Sequence, residues 1–222
     1  MNKSLYSLKK VQFKNDAFKL NVNKFEIHRG AIYMISGKLS SGKSVFLKLL
    51  NNSVKYTGYI KYEDQDLGDV DNLNKDVLYL SPQLPRSFKT VRNYIDWYIK
   101  KYDTIKKNNK EIKALVRRLG ATSLLDKRIV FLTPSQKRIV SLVAAIAADP
   151  KVLIIDDLDS FLTTEELKAL KSVLNRKANY DGVTIIASSY SPEHFKMSTS
   201  VFIKMDNGRI TQVRSVSNKS KQ

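Results

Sequence analysis

No cysteine occurs among the 222 residues. That excludes a disulfide framework and thiolate metal sites, and it fits a reducing compartment. Histidine is almost as scarce, with His28 and His194 alone. Long apolar runs are missing as well. The most apolar segment, residues 139–148, is stopped by Asp149-Pro150-Lys151. It falls well short of the about 20 residues that a spanning helix needs. The opening residues 1–10 lack the apolar stretch of a signal peptide. Any membrane role is therefore expected to be peripheral. Internal repeats and sustained heptads are absent too. Acidic residues are few, 21 against 39 Lys and Arg, leaving a net charge of +18.

Three readings of that charge are open. The first is compositional bias, since Lys far outnumbers Arg and Asn is frequent. The second is attraction to an anionic membrane surface, where each basic side chain near the lipid contributes ~1 kcal/mol. The third is nucleic acid, ranked last because no recognition motif accompanies the charge. Local concentrations fall at Lys100-Lys101, Lys106-Lys107, Lys110 and Arg117-Arg118. The remaining composition, 42% hydrophobic and 27% charged, is that of an ordinary globular protein with a full core.

Most of the information sits in Gly37-Lys38-Leu39-Ser40-Ser41-Gly42-Lys43-Ser44. This is G-x-x-x-x-G-K-S, a phosphate-binding P-loop. An apolar run, Ala31-Ile32-Tyr33-Met34-Ile35, precedes it as a buried strand. Val45-Phe46-Leu47-Lys48-Leu49-Leu50 follows as a helix. Strand, glycine turn and helix are the context the motif requires. Glycines at 37 and 42 let the backbone N–H groups converge on phosphate oxygens, and the helix N-terminus adds its positive dipole. Lys43 would reach the β- and γ-phosphates, and Ser44 would offer its hydroxyl to Mg²⁺.

Residues 8–20 form short β-like patches broken by Asn15-Asp16, and Phe25-Glu26-Ile27 reads as a further strand closed by Gly30. Strands are also predicted at 58–62, 77–80, 152–155 and 184–187. Continuous apolar runs of this kind suit strands covered on both faces of an α/β sheet. Val91, Ile95, Tyr98, Ile105, Ile112 and Val116 recur at helical spacing over residues 90–119, and Gly120 ends that helix. Residues 201–213 read as a hairpin across Asp206-Asn207-Gly208. The polar tail, 215–222, is expected to be disordered.

A second signal closes the strand Ile154-Ile155-Asp156-Asp157. Asp156 is placed to help hold Mg²⁺, and Asp157 to polarise an attacking water.

Together these residues resemble the ATP-binding-cassette (ABC) ATPases, over nearly the whole chain. Gln83 is similar to the family's Q-loop glutamine, which would sense the γ-phosphate and Mg²⁺. Leu132-Thr133-Pro134-Ser135-Gln136 occupies the place of the LSGGQ signature, followed by Lys137-Arg138 and a small-residue helix. Gln136 and Asp156 stand 20 residues apart, a spacing typical of the family. Ser160-Phe161-Leu162-Thr163 takes the D-loop position, and Gly58 matches the glycine that opens the strand after the P-loop helix.

The resemblance implies an α/β P-loop NTPase, with a RecA-like core, the ABC antiparallel β subdomain and an inserted α-helical subdomain. It assigns residues 1–214 to one nucleotide-binding domain, with the core at 1–85 and 136–214 and the helical subdomain at 86–135. It also implies ATP and Mg²⁺ as cofactors. Gly37 to Val45 would bind the phosphates, Phe13 (with Phe18 as second choice) would stack on adenine, and Ser44, Gln83 and Asp156 would hold the metal. Thr133, Ser135 and Gln136 would close on the nucleotide of a second subunit. Lys43, Gln83, Asp157 and Tyr190 would carry the chemistry.

Three positions depart from the family. Pro134 has no N–H to donate where the signature has glycine. Thr133-Pro134-Ser135-Gln136 reads equally as a helix start, with Thr as N-cap and Gln completing a capping box. Asp157 replaces the usual Glu and is shorter by one methylene; misplacement on the order of 1 Å can cost ~10²-fold in rate. The switch-histidine position falls at Tyr190, 33 residues after Asp157 and 18 before Gly208. His28 and His194 lie outside the match and read as surface residues, with His194 near enough in sequence to swing in.

The expectation is an ATP-hydrolysing subunit with slow or partner-dependent turnover. It would dock on the cytoplasmic face of the membrane against a transmembrane permease-like subunit. It would pair as a homodimer or heterodimer with a second ABC subunit, and no nucleic-acid partner is expected. The alternative is a nucleotide-gated regulatory module with little turnover, resembling the cell-division ABC ATPase.

Overall fold

The computed structural model describes residues 4–102, 109–196 and 198–216. In chain order, β1 (Tyr6–Lys14) and β2 (Lys19–Ile27) are followed by β3 (Ile32–Ser36), α1 (Lys43–Leu50), β4 (Thr57–Tyr62) and β5 (Gln65–Asp66). Next come α2 (Leu73–Asp76), β6 (Val77–Leu80), α3 (Val91–Lys101), α4 (Asn109–Arg118) and α5 (Pro134–Ala147). The chain then runs through β7 (Val152–Ile155), α6 (Thr164–Asn179), β8 (Thr184–Ser188), β9 (Val201–Asp206) and β10 (Arg209–Ser215).

Among the described residues the strands form one sheet, ordered β5-β4-β1-β2-β10-β9-β3-β8-β7-β6. β6, β7, β8, β3 and β9 run parallel, whereas β1, β2, β4 and β5 are antiparallel. The break at Asn15-Asp16 is a turn between β1 and β2. The Asn15 Oδ1 accepts N–H bonds from Ala17 (3.1 Å) and Phe18 (2.7 Å), the local closure that suits Asn to turns. Phe25-Glu26-Ile27 is the end of β2 and not a separate strand.

The apolar strands are buried on both faces because period-two alternation sends neighbouring residues into two cores. Ile32 and Met34 join a core built with α5, α6, α3 and α4. Tyr33 and Ile35 join one built with α1 and the antiparallel strands. Beyond its first turn α5 is buried all round, from Arg138 to Ala147, as an interior helix must be. Each fully buried Leu or Ile contributes about 1.5–3 kcal/mol. No described helix is long and apolar enough to cross a membrane.

The helical expectation over 90–119 is met by two helices, α3 and α4; Ile105 and Lys106-Lys107 lie outside the described residues. The expected tail begins too early. Ser215 pairs with Val201 in β10, and the Val216 N–H donates to Ser200 O at 2.8 Å. Backbone pairing therefore extends through 216, and residues 217–222 lie outside the described residues. Because β3, β6, β7 and β8 are parallel, the loops after them gather at one sheet edge. That is where ligands sit in open α/β sheets.

Candidate nucleotide-binding site

The loop after β3 turns on its two glycines. Gly37 has φ 157°, and a Cβ there would lie 2.3 Å from Met205 O and 2.5 Å from Ser41 Oγ. Gly42, the N-cap of α1, has φ 102°. A Cβ on Gly42 would lie 2.8 Å from the Phe18 ring edge. Lys38, Leu39 and Ser40 form the exposed crest, Ser41 and Lys43 are buried, and Ser44 and Val45 are half-buried. The Lys43 Nζ folds back and donates to Gly37 O (2.8 Å) and Lys38 O (3.0 Å). Desolvation lowers its pKa, opposed by the charges of Asp157, Asp156 and Asp159.

Asp156, at the end of β7, is 1% exposed. Its Oδ1 accepts from Ser188 Oγ at 2.7 Å and its Oδ2 from the Tyr79 hydroxyl at 3.0 Å. Burial, then the Asp156 charge, raises the Tyr79 pKa, so the phenol remains a donor. Asp157 is held by its backbone. Its N–H donates to Ser188 Oγ (2.8 Å), its carbonyl accepts from Arg138 Nη2 (2.7 Å), and its φ is 49°. Its Oδ1 is buried with no hydrogen-bond partner among the described residues. Desolvation first, and then Asp156, raises its pKa.

Arg138 is fully buried. Besides Asp157 O it donates to Asp156 O (2.8 Å) and Ser81 O (3.1 Å). One guanidinium thus ties α5 to the ends of β7 and β6. Gln83, two residues beyond Ser81, is exposed, and its N–H donates to Ser81 Oγ at 3.1 Å.

Tyr190 follows β8, and Lys43 Nζ lies 4.8 Å from its ring centre. Asp159 fixes the loop that carries it, accepting from Ser189 Oγ (2.8 Å), Tyr190 N (3.4 Å) and Ser191 N (3.0 Å). His194 is exposed in a short turn, and Tyr33 OH accepts from the His28 backbone N–H.

The expected capping box at the signature is present. The Gln136 N–H donates to Thr133 Oγ1 (3.3 Å), and the Thr133 N–H donates to Gln136 Oε1 (3.1 Å). Ser135 Oγ donates to Glu166 (3.2 Å) at the start of α6. Phe13 and Phe18 are both half-buried on the β1–β2 hairpin, and Phe18 is the one against Gly42.

The structure thus gathers Lys43, Asp156, Asp157 and Tyr190 at one edge, with Thr133-Pro134-Ser135-Gln136 at the start of α5. Arg138, Tyr79, Ser188 and Asp159 are the supporting residues that sequence reasoning gave no role.

The donor set fits a hard divalent cation. Asp156 keeps lone pairs on both oxygens after its two hydroxyl bonds, and Ser44 stands at the start of α1. Among the described residues no group of three or more His, Cys, Asp or Glu stands together as a metal site. One carboxylate and one hydroxyl suit Mg²⁺, which is held by one or two carboxylates plus phosphates.

These features define a P-loop nucleotide-binding fold. The spermidine/putrescine import ATP-binding protein PotA of Mycoplasma capricolum is 27% identical over 203 residues, covering 85% of this chain and 55% of its own. The methionine import ATP-binding protein MetN of Lacticaseibacillus paracasei is 27% identical over 205 residues, covering 84% and 55%. The chain therefore spans about half the length of these curated relatives. A solved structure of the ATP-binding subunit of an ABC transporter superposes with a TM-score of 0.83 at 19% identity, covering 96% of this chain and 90% of that one; it shares the fold. The ABC transporter family pattern matches residues 20–160, and the chain belongs to that family.

Proposed function

We propose that this chain is the ATP-binding and ATP-hydrolysing subunit of an ABC-type membrane complex. In it, ATP-driven pairing with a second ABC subunit powers transport or a mechanical change in a transmembrane partner. The carrying observation is the P-loop lysine, satisfied by its own loop carbonyls beside two carboxylates. A phosphate is the ligand that would draw it away.

Loop N–H groups from Gly37 to Val45 and the Lys43 ammonium would bind the β- and γ-phosphates. Phe13 would stack on the base. Mg²⁺, when bound, would be held by Ser44, Asp156 and Gln83 and would neutralise phosphate charge. The unpartnered Asp157 Oδ1 would orient the attacking water, and Tyr190 would donate one neutral hydrogen bond to the γ-phosphate. Thr133, Ser135 and Gln136 would face the nucleotide of the second subunit, on the cytoplasmic side of the membrane.

A specific observation favours the quieter alternative, a regulatory module with little turnover. Thr133 and Gln136 are bonded to each other, Ser135 is bonded to Glu166, and Pro134 has no N–H. Steady-state phosphate release separates the two readings, measured on the purified chain and again with its membrane partner. Turnover in the assembled complex supports the ATPase. Background release there, with Mg-ATP still bound, supports the regulator.

A further inference from the structure

Tyr79 ends its side chain on the cation site, and the proposed chemistry makes no use of it. β6, β7 and β8 are adjacent and parallel, with Tyr79 level with Ile154 and Ile154 level with Ile186. Side chains alternate along a strand, so these three share the face that α1 covers. Two residues further on, Asp156 and Ser188 fall on that same face. Tyr79 is thus one pleat short of Asp156, about 7 Å along the strand direction. Its long side chain covers that distance, and its hydroxyl donates to Asp156 Oδ2 at 3.0 Å.

Packing alone gives no reason for that hydroxyl. The rest of β6 is Val77, Leu78 and Leu80, and a phenylalanine ring would fill the same apolar space. What the oxygen adds is a grip on the carboxylate. The terminal torsion of Asp is broad and soft. Here Ser188 Oγ holds one oxygen at 2.7 Å and Tyr79 the other. Two donors on opposite oxygens fix the carboxylate rotation and leave each oxygen a free lone pair.

We propose that Tyr79 is a positioning residue of the divalent-cation site. By fixing Asp156 it sets how tightly the cation is held alongside the nucleotide, and it has no part in binding the nucleotide itself. This rests on the Mg-nucleotide reading given above. Partners that orient a metal ligand typically contribute 10- to 100-fold in metal affinity.

The test is Tyr79→Phe in the full chain. ADP binding is measured by calorimetry in EDTA and across a Mg²⁺ series, with Mn²⁺ and its paramagnetic resonance signal as a second readout. The expected result is a roughly 10-fold rise in the Mg²⁺ and Mn²⁺ concentrations needed for half-saturation, with ADP affinity in EDTA unchanged. Tyr79→Met, which also lacks the hydroxyl, should shift in the same direction. Equal Mg²⁺ dependence in wild type and both variants overturns the role of Tyr79 and leaves the nucleotide site standing. An equal loss of ADP affinity in EDTA also overturns it, by showing a general distortion. No ADP binding by the wild type removes the nucleotide reading and this inference with it.

Discussion

The Lys43 ammonium sits over the ring of Tyr190, 4.8 Å from its centre. The tyrosine stands where the family resemblance calls for a cationic or strongly donating imidazole, and it instead offers its π-face to the P-loop lysine. Attraction of this kind contributes about 0.5–1 kcal/mol at exposed sites, and Tyr190 is 51% exposed. The contact favours Lys43 staying toward its own loop, and a tyrosine here would offer a phosphate only a neutral hydroxyl. Tyr190→His is therefore expected to raise phosphate release by at least ~10-fold, since one donor aimed at charge developing in a transition state contributes ~10²–10³-fold. A rate equal to or below wild type would show that this position does not limit turnover.

Asp157 has a pKa raised by desolvation and by the Asp156 charge. A carboxyl whose folded pKa lies above its unfolded value costs stability when ionised, at pH above the folded pKa. The cost vanishes below the unfolded value of about 4. Asp157→Asn should accordingly melt a few degrees above wild type at pH 7, with the gain disappearing near pH 4. The same variant should lose phosphate release by ~10²-fold or more. Wild-type turnover should also fall as pH drops through the raised pKa. A melting gain that persists at pH 4 would point to packing and not to charge.

Much of this was legible because backbone chemistry writes itself into local sequence. Gly37, Gly42 and Lys43 declare a loop that only glycine geometry permits, and the apolar runs of β3, β7 and β8 declare strands buried on both sides. The capping box at Thr133 and Gln136 was readable from spacing alone. The supporting contacts were not, because they join residues distant in sequence: Tyr79 with Asp156, Asp159 with the Tyr190 loop, Phe18 with Gly42. Arg138 was obscured for a different reason. A charged side chain defaults to solvent, and only the meeting of three strand-end carbonyls makes its burial intelligible. The segments of β1 and β2 were readable as strands, but the join between the patches ending at residue 20 and the strand at 25–27 was not, since it is the pairing with β1 that carries β2 through residues 21–24.

Arg138→Met keeps much of the side-chain volume on a shorter chain while removing the guanidinium and its three bonds. Ser81 O, Asp156 O and Asp157 O would each lose a charge-assisted bond. A buried acceptor left unpaired costs ~1–3 kcal/mol, partly offset because the arginine itself no longer has to be desolvated. The expected net loss is roughly 3 kcal/mol, read as a lower urea midpoint at unchanged slope. A loss under about 0.5 kcal/mol would mean that the strand ends hold themselves.

The two hairpin aromatics should separate by phenotype. Phe13→Ala is expected to weaken ATP and ADP alike by about 1–3 kcal/mol, the range for loss of one base-stacking ring. Phe13→Trp should retain affinity. Phe18 lies against Gly42, so Phe18→Ala should lower the melting temperature as well. If Phe18→Ala alone reduces affinity, with stability unchanged, then Phe18 is the stacking ring.

Pro134 sits at the first position of α5 behind the Thr133 cap. Its ring presets the backbone angle and so stabilises the helix start. It also removes one N–H from the helix end that would face an anion across a subunit interface. The two effects have opposite signs and can be read apart. Pro134→Gly frees the unfolded chain and should cost ~1 kcal/mol in denaturant unfolding. The same change restores a donor, so in an Asp157→Asn background, where hydrolysis is blocked, it should increase ATP-dependent association measured by light scattering. Lower stability together with stronger association would identify the α5 N-terminus as a contact for a second subunit's nucleotide. Lower stability with no gain in association would leave Pro134 a helix cap alone and favour a pairing in which the other cassette supplies the competent signature.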